Sequence, residues 1–347
     1  MRYGLIGDNP IESAIIASGL LPAPMLDGYA MVNTRALLVA TEAGLFDALA
    51  DGHADAALVA ERCGTDARAT EKLLNLLTGM RYLRASRDGT YRLSRTARRW
   101  LVGPGSVRDS VLMKELEWRW IDGLESFVRS GEPQDVHETM AADDWRLYQR
   151  GMRSNAGVLA PLIARRVPVP DEAREMLDVG GSHGYFSVCI CRRHPELRAT
   201  VMDLPEAVEH AAPLLAAEGM GDRVTLRAGD ALRDDLGTDA YDLVFMMSLV
   251  HHFDDATNRE LVRRAAAALR PGGILVIGDA LRLPPQKTDQ LGSFFDLYFA
   301  MTSRAGLWTY AEMADWQRAA GLVPRKPIGL PLTSGTGMQA ADKPRTA

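Results

Sequence analysis

The chain is predicted to be an α/β protein, with a Rossmann-like doubly wound sheet C-terminal and an α-helical, winged-helix domain N-terminal. Three observations predict this. Short apolar runs alternate with helical stretches from Met176 to Ile277, as parallel strands joined by helical crossovers do. Two short helical patterns and a hairpin signal follow one another between Ala56 and Leu93. Finally, 347 residues that are 47% apolar and 24% charged suffice for two domains with ordinary cores.

Taken in order, Met25 to Leu49 places apolar residues at helical spacing, among them Met31, Leu37, Leu38, Leu45 and Phe46. Ala56–Cys63 and Ala69–Met80 are the next two helical patterns, and Thr65 or Asp66 can cap the second. Tyr82–Ala85 and Tyr91–Leu93 flank Arg87-Asp88-Gly89, and Asp-Gly between short runs signals a hairpin. Helix, helix, hairpin is the winged-helix order. Arg84, Arg87, Arg92, Arg95, Arg98 and Arg99 cluster on the wing and just after it. A DNA-binding module that meets phosphate is one reading of that cluster. A solvated wing on a dimerisation domain is the other, and it is favoured: 40 basic against 45 acidic residues give a net charge of −5, no footprint for nucleic acid or an anionic membrane.

Gly105 to Arg166 stays helical and carries Trp118, Trp120, Phe127, Trp145 and Tyr148. Val167-Pro168-Val169-Pro170 interrupts it, because prolines two apart cannot continue a helix. The expected division is therefore a winged-helix domain at 1–104, a helical connector contributing to a ligand pocket at 105–167, and the sheet domain at 168–347. Strand-like runs in the last part are Met176–Val179, Ala199–Met202, Val224–Leu226, Leu243–Met247 and Ile274–Ile277. Helical stretches between them are Tyr185–Arg193, Glu206–Ala217 and Asn258–Leu269. The tail from Thr333 is rich in Gly, Thr and Ala and is expected to fray. No run reaches the ~18 uninterrupted apolar residues of a membrane helix. The first residues lack a signal peptide's basic start, and Cys63, Cys189 and Cys191 cannot build a disulfide framework. A cytoplasmic, reduced protein is expected.

On a doubly wound sheet, ligands bind outside the carboxyl ends of the strands. After the first strand comes Asp178-Val179-Gly180-Gly181-Ser182-His183-Gly184. The dinucleotide fingerprint fails there, since Ser and Tyr occupy its second and third glycine positions, and no Gly-Lys-Ser/Thr follows for a P-loop. Acidic-x-Gly-x-small-x-Gly fits instead, a loop that cradles the amino-acid end of S-adenosylmethionine. Asp178 is expected to order it and hold the ammonium. Asp203-Leu204 ends the second strand, where a carboxylate can accept both ribose hydroxyls. Gly229-Asp230-Ala231 follows the third, with Asp230 placed for the adenine amine, although a lone Asp there is often only a cap. The fourth strand runs into Ser248-Leu249-Val250-His251-His252-Phe253-Asp254-Asp255. Histidine titrates near neutrality and suits proton transfer in a cleft. Neighbours in extended chain point opposite ways, so one of the two faces the ligand. A metal would need a third ligand such as Asp254 or Asp255, and no usual ligand spacing is present, so none is expected.

With these residues, the chain resembles the bacterial branch of the plant-type small-molecule O-methyltransferases, the caffeic-acid, hydroxyindole and phenazine methyltransferase group, from Tyr29 to Lys343. The resemblance rests on Asp178-Val179-Gly180-Gly181, on Arg270-Pro271-Gly272-Gly273 before the fifth strand, and on the helix ending in Ala320-Gly321-Leu322. It implies a class I S-adenosylmethionine-dependent enzyme acting on a small molecule and a homodimer through the N-terminal domain, while the number of aromatic residues that could line the pocket suggests an aromatic or apolar acceptor. The family's His-Asp-Trp-x-Asp stretch corresponds to His251-His252-Phe253-Asp254-Asp255, which makes His251 the general base. Two departures stand out. Ser182 replaces a third consecutive glycine. Where plant members place a Glu beside the base, in Gly-x-Glu-Arg-Thr, this chain reads Gly306-Leu307-Trp308-Thr309, so the orienting carboxylate is missing there; Glu312 follows at the next helix.

The residues expected to line the acceptor pocket are Trp118, Trp145, Met152, Asn155, His252, Phe295, Tyr298, Phe299, Met301 and Trp308, with core packing as the alternative for most. Methylation of oxygen is the leading reading. Methylation of carbon or nitrogen, for instance metal-assisted on a 2-oxo acid, is the next, followed by a winged-helix ligand sensor on DNA.

Overall fold

In the first unit, helices form where their caps predict. Asp55 accepts from the Leu58 N–H and Asp66 from the Ala69 N–H, so Ala56–Cys63 and Ala67–Gly79 each start on an aspartate that satisfies a free donor. Met25 to Leu49 is not one helix but Ala23–Asp27, Ala30–Glu42 and Leu45–Ala48, broken at Gly28 and at Gly44, whose φ is +78°. Strands β1 (Leu83–Ala85) and β2 (Tyr91–Leu93) pair antiparallel, Leu83 opposite Leu93, as the hairpin signal implies. Leu83, Tyr91 and Leu93 close a core with Phe46, Val59, Leu74 and Leu77. The computed structural model describes residues 9–20, 23–284, 286, 290–330 and 335–345, and the chain divides into two units at Glu115/Leu116.

The second unit is built on one sheet. Its strands are β3 (Glu175–Val179), β4 (Arg198–Asp203), β5 (Val224–Ala228), β6 (Tyr241–Met247), β7 (Leu269–Ala280), β8 (Val323–Pro324), β9 (Ile328–Gly329) and β10 (Thr336–Asp342). They run in the order β5-β4-β3-β6-β7-β10-β8, with β9 pairing β10. The first five are parallel. Order reverses at β3, with β4 on one side and β6 on the other, and a crevice opens at the carboxyl ends of such a pair.

Alternating residues feed two apolar layers. Met176, Val201, Phe245 and Val276 pack with Val188 and Leu215 of the helices Tyr185–Arg193 and Pro205–Ala216, and with Ile163 of the long helix Ala142–Ala164. Leu177, Val244, Met246 and Ile277 pack on the other face, against Leu261 of Asp255–Ala268 and Trp316 of Tyr310–Ala319. Covered on both faces, the central β6 and β7 are continuously apolar over Leu243–Met247 and Ile274–Ile277, as buried parallel strands are.

The tail does not fray at its centre: β10 pairs antiparallel with β7 over seven residues, Thr336 opposite Ala280 through Asp342 opposite Ile274. Gly337 to Ala341 are all buried. Small residues there fill a tight place between sheet and helices, where tertiary packing overrides weak strand propensity. Thr333 lies outside the described residues. No helix among the described residues is long and apolar enough to cross a membrane.

Candidate active site

The carboxyl ends of the parallel strands open on a cavity of about 810 Å³, within the usual range for a small-molecule site. Its floor is the loop after β3. Gly180 and Gly184 have φ of +68° and +72°. A Cβ on Gly181 would lie 2.6 Å from both Asp178 Cγ and Val201 Cγ1, so glycine alone fits there. Ser182 takes the left-handed conformation too, at φ +52°. Its N–H donates to Asp203 Oδ2 at 2.7 Å, and its hydroxyl donates to Gln149 Oε1 at 2.7 Å.

Asp178 is 1% exposed. Its Oδ2 accepts from Ser187 Oγ at 2.6 Å, while Oδ1 is buried without a partner. Burial pushes this carboxyl up to about 7. Asp203 accepts from the N–H groups of Ser182 and Leu204, and burial pushes it up to about 6. A buried carboxylate oxygen without a donor, on a cavity wall, is what a ligand's ammonium satisfies. The residues present therefore fit S-adenosylmethionine. Leu204, Gly229, Asp230, Ala231 and Ser248 line the same cavity with Asp178, Gly180, Gly181 and Asp203. Gly184 does not; it is the N-cap of the helix Tyr185–Arg193. Asp230 is partly committed, accepting from the Leu232 N–H at 2.8 Å.

At the other end, Trp145, Met152, Asn155 and His252 line the cavity together with His137, Tyr148, Gln149, Ser303 and Arg304, which the sequence reading did not assign to it. Trp118, Phe295, Tyr298, Phe299, Met301 and Trp308 are off the wall. Trp118 lies in the helix Lys114–Ile121. Phe295 stacks with Phe299 at 5.8 Å, Tyr298 packs against Trp120, and Met301 is buried. Trp308 donates its Nε1–H to the Val250 carbonyl at 3.0 Å and packs edge-on to Trp316.

β6 turns at Ser248 (φ +57°) into a single 3₁₀ turn, Val250–His252. The histidines therefore do not alternate as in extended chain; their rings lie 4.1 Å apart. His251 is 3% exposed, its ring stacked on Phe299 at 3.7 Å. Its Nδ1 lies 3.0 Å from each oxygen of Asp279. His252 is the one on the cavity wall, with Nδ1 2.8 Å from Ser303 Oγ and its ring 4.8 Å from that of His137. Burial, then His251, holds both His137 (to about 4) and His252 well below the ordinary imidazole range.

The missing orienting carboxylate is thus supplied from elsewhere. Gly306 to Thr309 holds none, and Glu312 closes a capping box with Thr309 while pairing with Arg282. Asp279, near the carboxyl end of β7 and 1% exposed, stands beside His251 instead. A carboxylate ending a buried apolar strand is the same signal that marks Asp178 and Asp203. Asp254 caps the next helix through the Thr257 N–H, and Asp255 pairs with Arg259 and Trp316. Among the described residues no group of three His, Cys, Asp or Glu is placed to hold a metal ion.

Residues 131–321 match the O-methyltransferase domain family and residues 25–103 the O-methyltransferase dimerisation domain. The chain is 30% identical over 329 residues to 3-hydroxy-5-methyl-1-naphthoate 3-O-methyltransferase of Streptomyces sahachiroi, covering 90% of this chain and 92% of that one. It is 30% identical over 265 residues to 3-amino-4-hydroxybenzoate 4-O-methyltransferase of Streptomyces cremeus, covering 72% and 70%. Human N-acetylserotonin methyltransferase shares the fold, with a TM-score of 0.82 at 20% identity over 98% of this chain and 100% of that one. Two matching domains in the family's order, on a sheet whose strand ends carry Asp178 and Asp203, make this chain a member of the plant-type small-molecule O-methyltransferase family, an S-adenosylmethionine-dependent methyltransferase.

Proposed function

We propose that the chain methylates a hydroxyl of a small aromatic acceptor, with His251 as general base and Asp279 as the residue that positions it. The observation that carries this reading is the His251–Asp279 pair, whose imidazole lies 4.1 Å from the ring of His252 on the wall of the cavity that Asp178, with its unpartnered Oδ1, also lines. When bound, the cofactor would supply an electrophilic sulfonium methyl group for transfer to the acceptor oxygen, its sulfur keeping the electron pair of the S–C bond. Asp178 would hold its ammonium, Asp203 its ribose hydroxyls, and the Asp230-Ala231 turn its adenine.

With Nδ1 on the carboxylate, the proton of neutral His251 sits there and Nε2 is the nitrogen that accepts the acceptor's proton. The imidazolium so formed faces Asp279. Such help is worth about 10²–10⁴-fold, and alignment of the reacting atoms several kcal/mol more. His252, held neutral, orients the acceptor rather than deprotonating it. Trp145, Met152 and Asn155 of the helical connector would wall the acceptor in. The proposal includes a cytoplasmic homodimer assembled through residues 1–104, with the connector at 105–167 and the cofactor domain at 168–347.

The test is incubation of the full chain with methyl-labelled S-adenosylmethionine and a panel of phenols, 2-oxo acids and amines. A labelled phenol ether is the expected product. Label on carbon or nitrogen alone would overturn the O-linked reading.

A further inference from the structure

Ser182 stands where the family's loop has a third glycine, and it keeps glycine's left-handed backbone at φ +52°. A side chain in that conformation is strained, so its hydroxyl needs a reason to be there. It donates to Gln149 Oε1 at 2.7 Å. Gln149 comes from the long helix Ala142–Ala164 and is 1% exposed, yet lines the cavity. With Oε1 accepting from Ser182, Nε2 is the end of the amide left for another partner. Its Nε2 makes no hydrogen bond to any described residue. On the cavity wall, its two N–H donors are open to an acceptor group of a ligand.

Asp178, whose Oδ1 is unpartnered, lines the same cavity. Asp178 Oδ2 lies 2.7 Å from where a Cβ on Gly181 would sit, and Ser182 is the next residue. One unpartnered carboxylate oxygen and one pair of amide donors thus line the same cavity, the second held by the loop through Ser182. A zwitterionic amino-acid group presents that complement.

We propose that Gln149 binds the carboxylate of the cofactor's amino-acid end through its Nε2, with Ser182 positioning the amide. The inference rests on the S-adenosylmethionine reading of this cavity but not on the identity of the acceptor. It accounts for the departure from glycine: the serine trades backbone ease for an oriented donor.

The test is calorimetric binding of S-adenosylhomocysteine and of its decarboxylated analogue, which keeps the ammonium. Gln149→Leu is expected to weaken S-adenosylhomocysteine about 10- to 100-fold, the loss of a hydrogen bond to a charged group. The decarboxylated analogue should bind wild type and variant alike, which also shows that the variant is folded. Ser182→Gly should weaken S-adenosylhomocysteine by a smaller factor and spare the analogue. Equal weakening of both ligands by Gln149→Leu would mean a merely structural glutamine. Unchanged S-adenosylhomocysteine affinity would mean that Nε2 serves something other than the cofactor, and either result overturns the assignment. Failure of wild type to bind either ligand would instead sink the cofactor reading itself.

Discussion

Asp279 and His251 are joined across the carboxyl ends of two adjacent parallel strands, with both carboxylate oxygens 3.0 Å from Nδ1. Asp279 Oδ2 also accepts from the His251 backbone N–H at 3.3 Å, and Oδ1 accepts from the Ala280 N–H at 2.8 Å. The carboxylate is thus fixed by backbone before it fixes the ring. Removing the ring with His251→Ala should lower kcat for phenol methylation by about 10²–10⁴-fold and leave S-adenosylhomocysteine affinity nearly unchanged. Asp279→Asn should give a kcat loss of similar direction, since an amide can present its N–H to Nδ1 and force the proton onto Nε2. Steady-state kinetics alongside calorimetry would check both. Full kcat in either variant removes that residue from the mechanism.

Cofactor binding should depend on pH through Asp178. Burial raises its carboxyl to about 7 and that of Asp203 to about 6, against ~3.9 for a free aspartate. A raised carboxyl stabilises the empty fold below its unfolded value, and that contribution disappears as pH climbs through 6 to 7. A ligand ammonium favours the ionised form, so binding drives a proton off the protein at low pH. The rise in Tm on adding S-adenosylhomocysteine should accordingly be larger at pH 7.5 than at pH 5.5. Equal shifts at the two pH values would mean Asp178 does not face the ammonium.

Gly181→Ala tests the close approach of the loop to the strands. The added Cβ meets Asp178 Cγ and Val201 Cγ1 at 2.6 Å, and overpacking of this kind costs about 1–3 kcal/mol. Because Asp178 itself must move, S-adenosylhomocysteine affinity should fall at least ~10-fold. Gly221→Ala is the control. It is strained at φ +57° but meets nothing within 4 Å, so it should lower Tm without changing affinity. If both variants bind alike, the loop tolerates the contact.

Strand ends were legible because a parallel sheet writes them plainly: an apolar run, then Asp178 or Asp203. Asp279 obeys the same rule, but family resemblance drew attention to Gly306–Thr309, where the carboxylate is absent. Residues 336–342 read as tail because Gly337, Ala340 and Ala341 carry no strand propensity; only their fit between β7 and β8 makes them a strand. The choice between the two histidines was beyond an alternation argument, since that argument assumes extended chain and the chain here coils into a 3₁₀ turn. The aromatic helix Gln290–Thr302 suggested a pocket, yet Phe295, Tyr298 and Phe299 pack on one another, on Trp120 and, for Phe299, on His251. Periodicity shows that a face is apolar, not whether protein or ligand covers it.

The turn that carries both histidines is held from behind by two side chains at one carbonyl. Asn258, fully buried, donates Nδ2 to Val250 O at 2.9 Å and to Phe253 O at 2.8 Å, while Trp308 donates to the same Val250 O at 3.0 Å. Either donor alone still satisfies that carbonyl. Trp308→Phe should therefore cost about 1 kcal/mol, and Asn258→Ala, which also frees Phe253 O, about 1–3 kcal/mol. The double variant leaves the buried Val250 oxygen only the long 3.3 Å bond from the Phe253 N–H. Its loss should exceed the sum of the single losses by about 0.5–3 kcal/mol, and kcat should fall with it because the base loses its support. Denaturant unfolding of the four proteins gives the coupling directly. Additive losses would show that the Phe253 N–H suffices for Val250 O and that the turn does not depend on this pair.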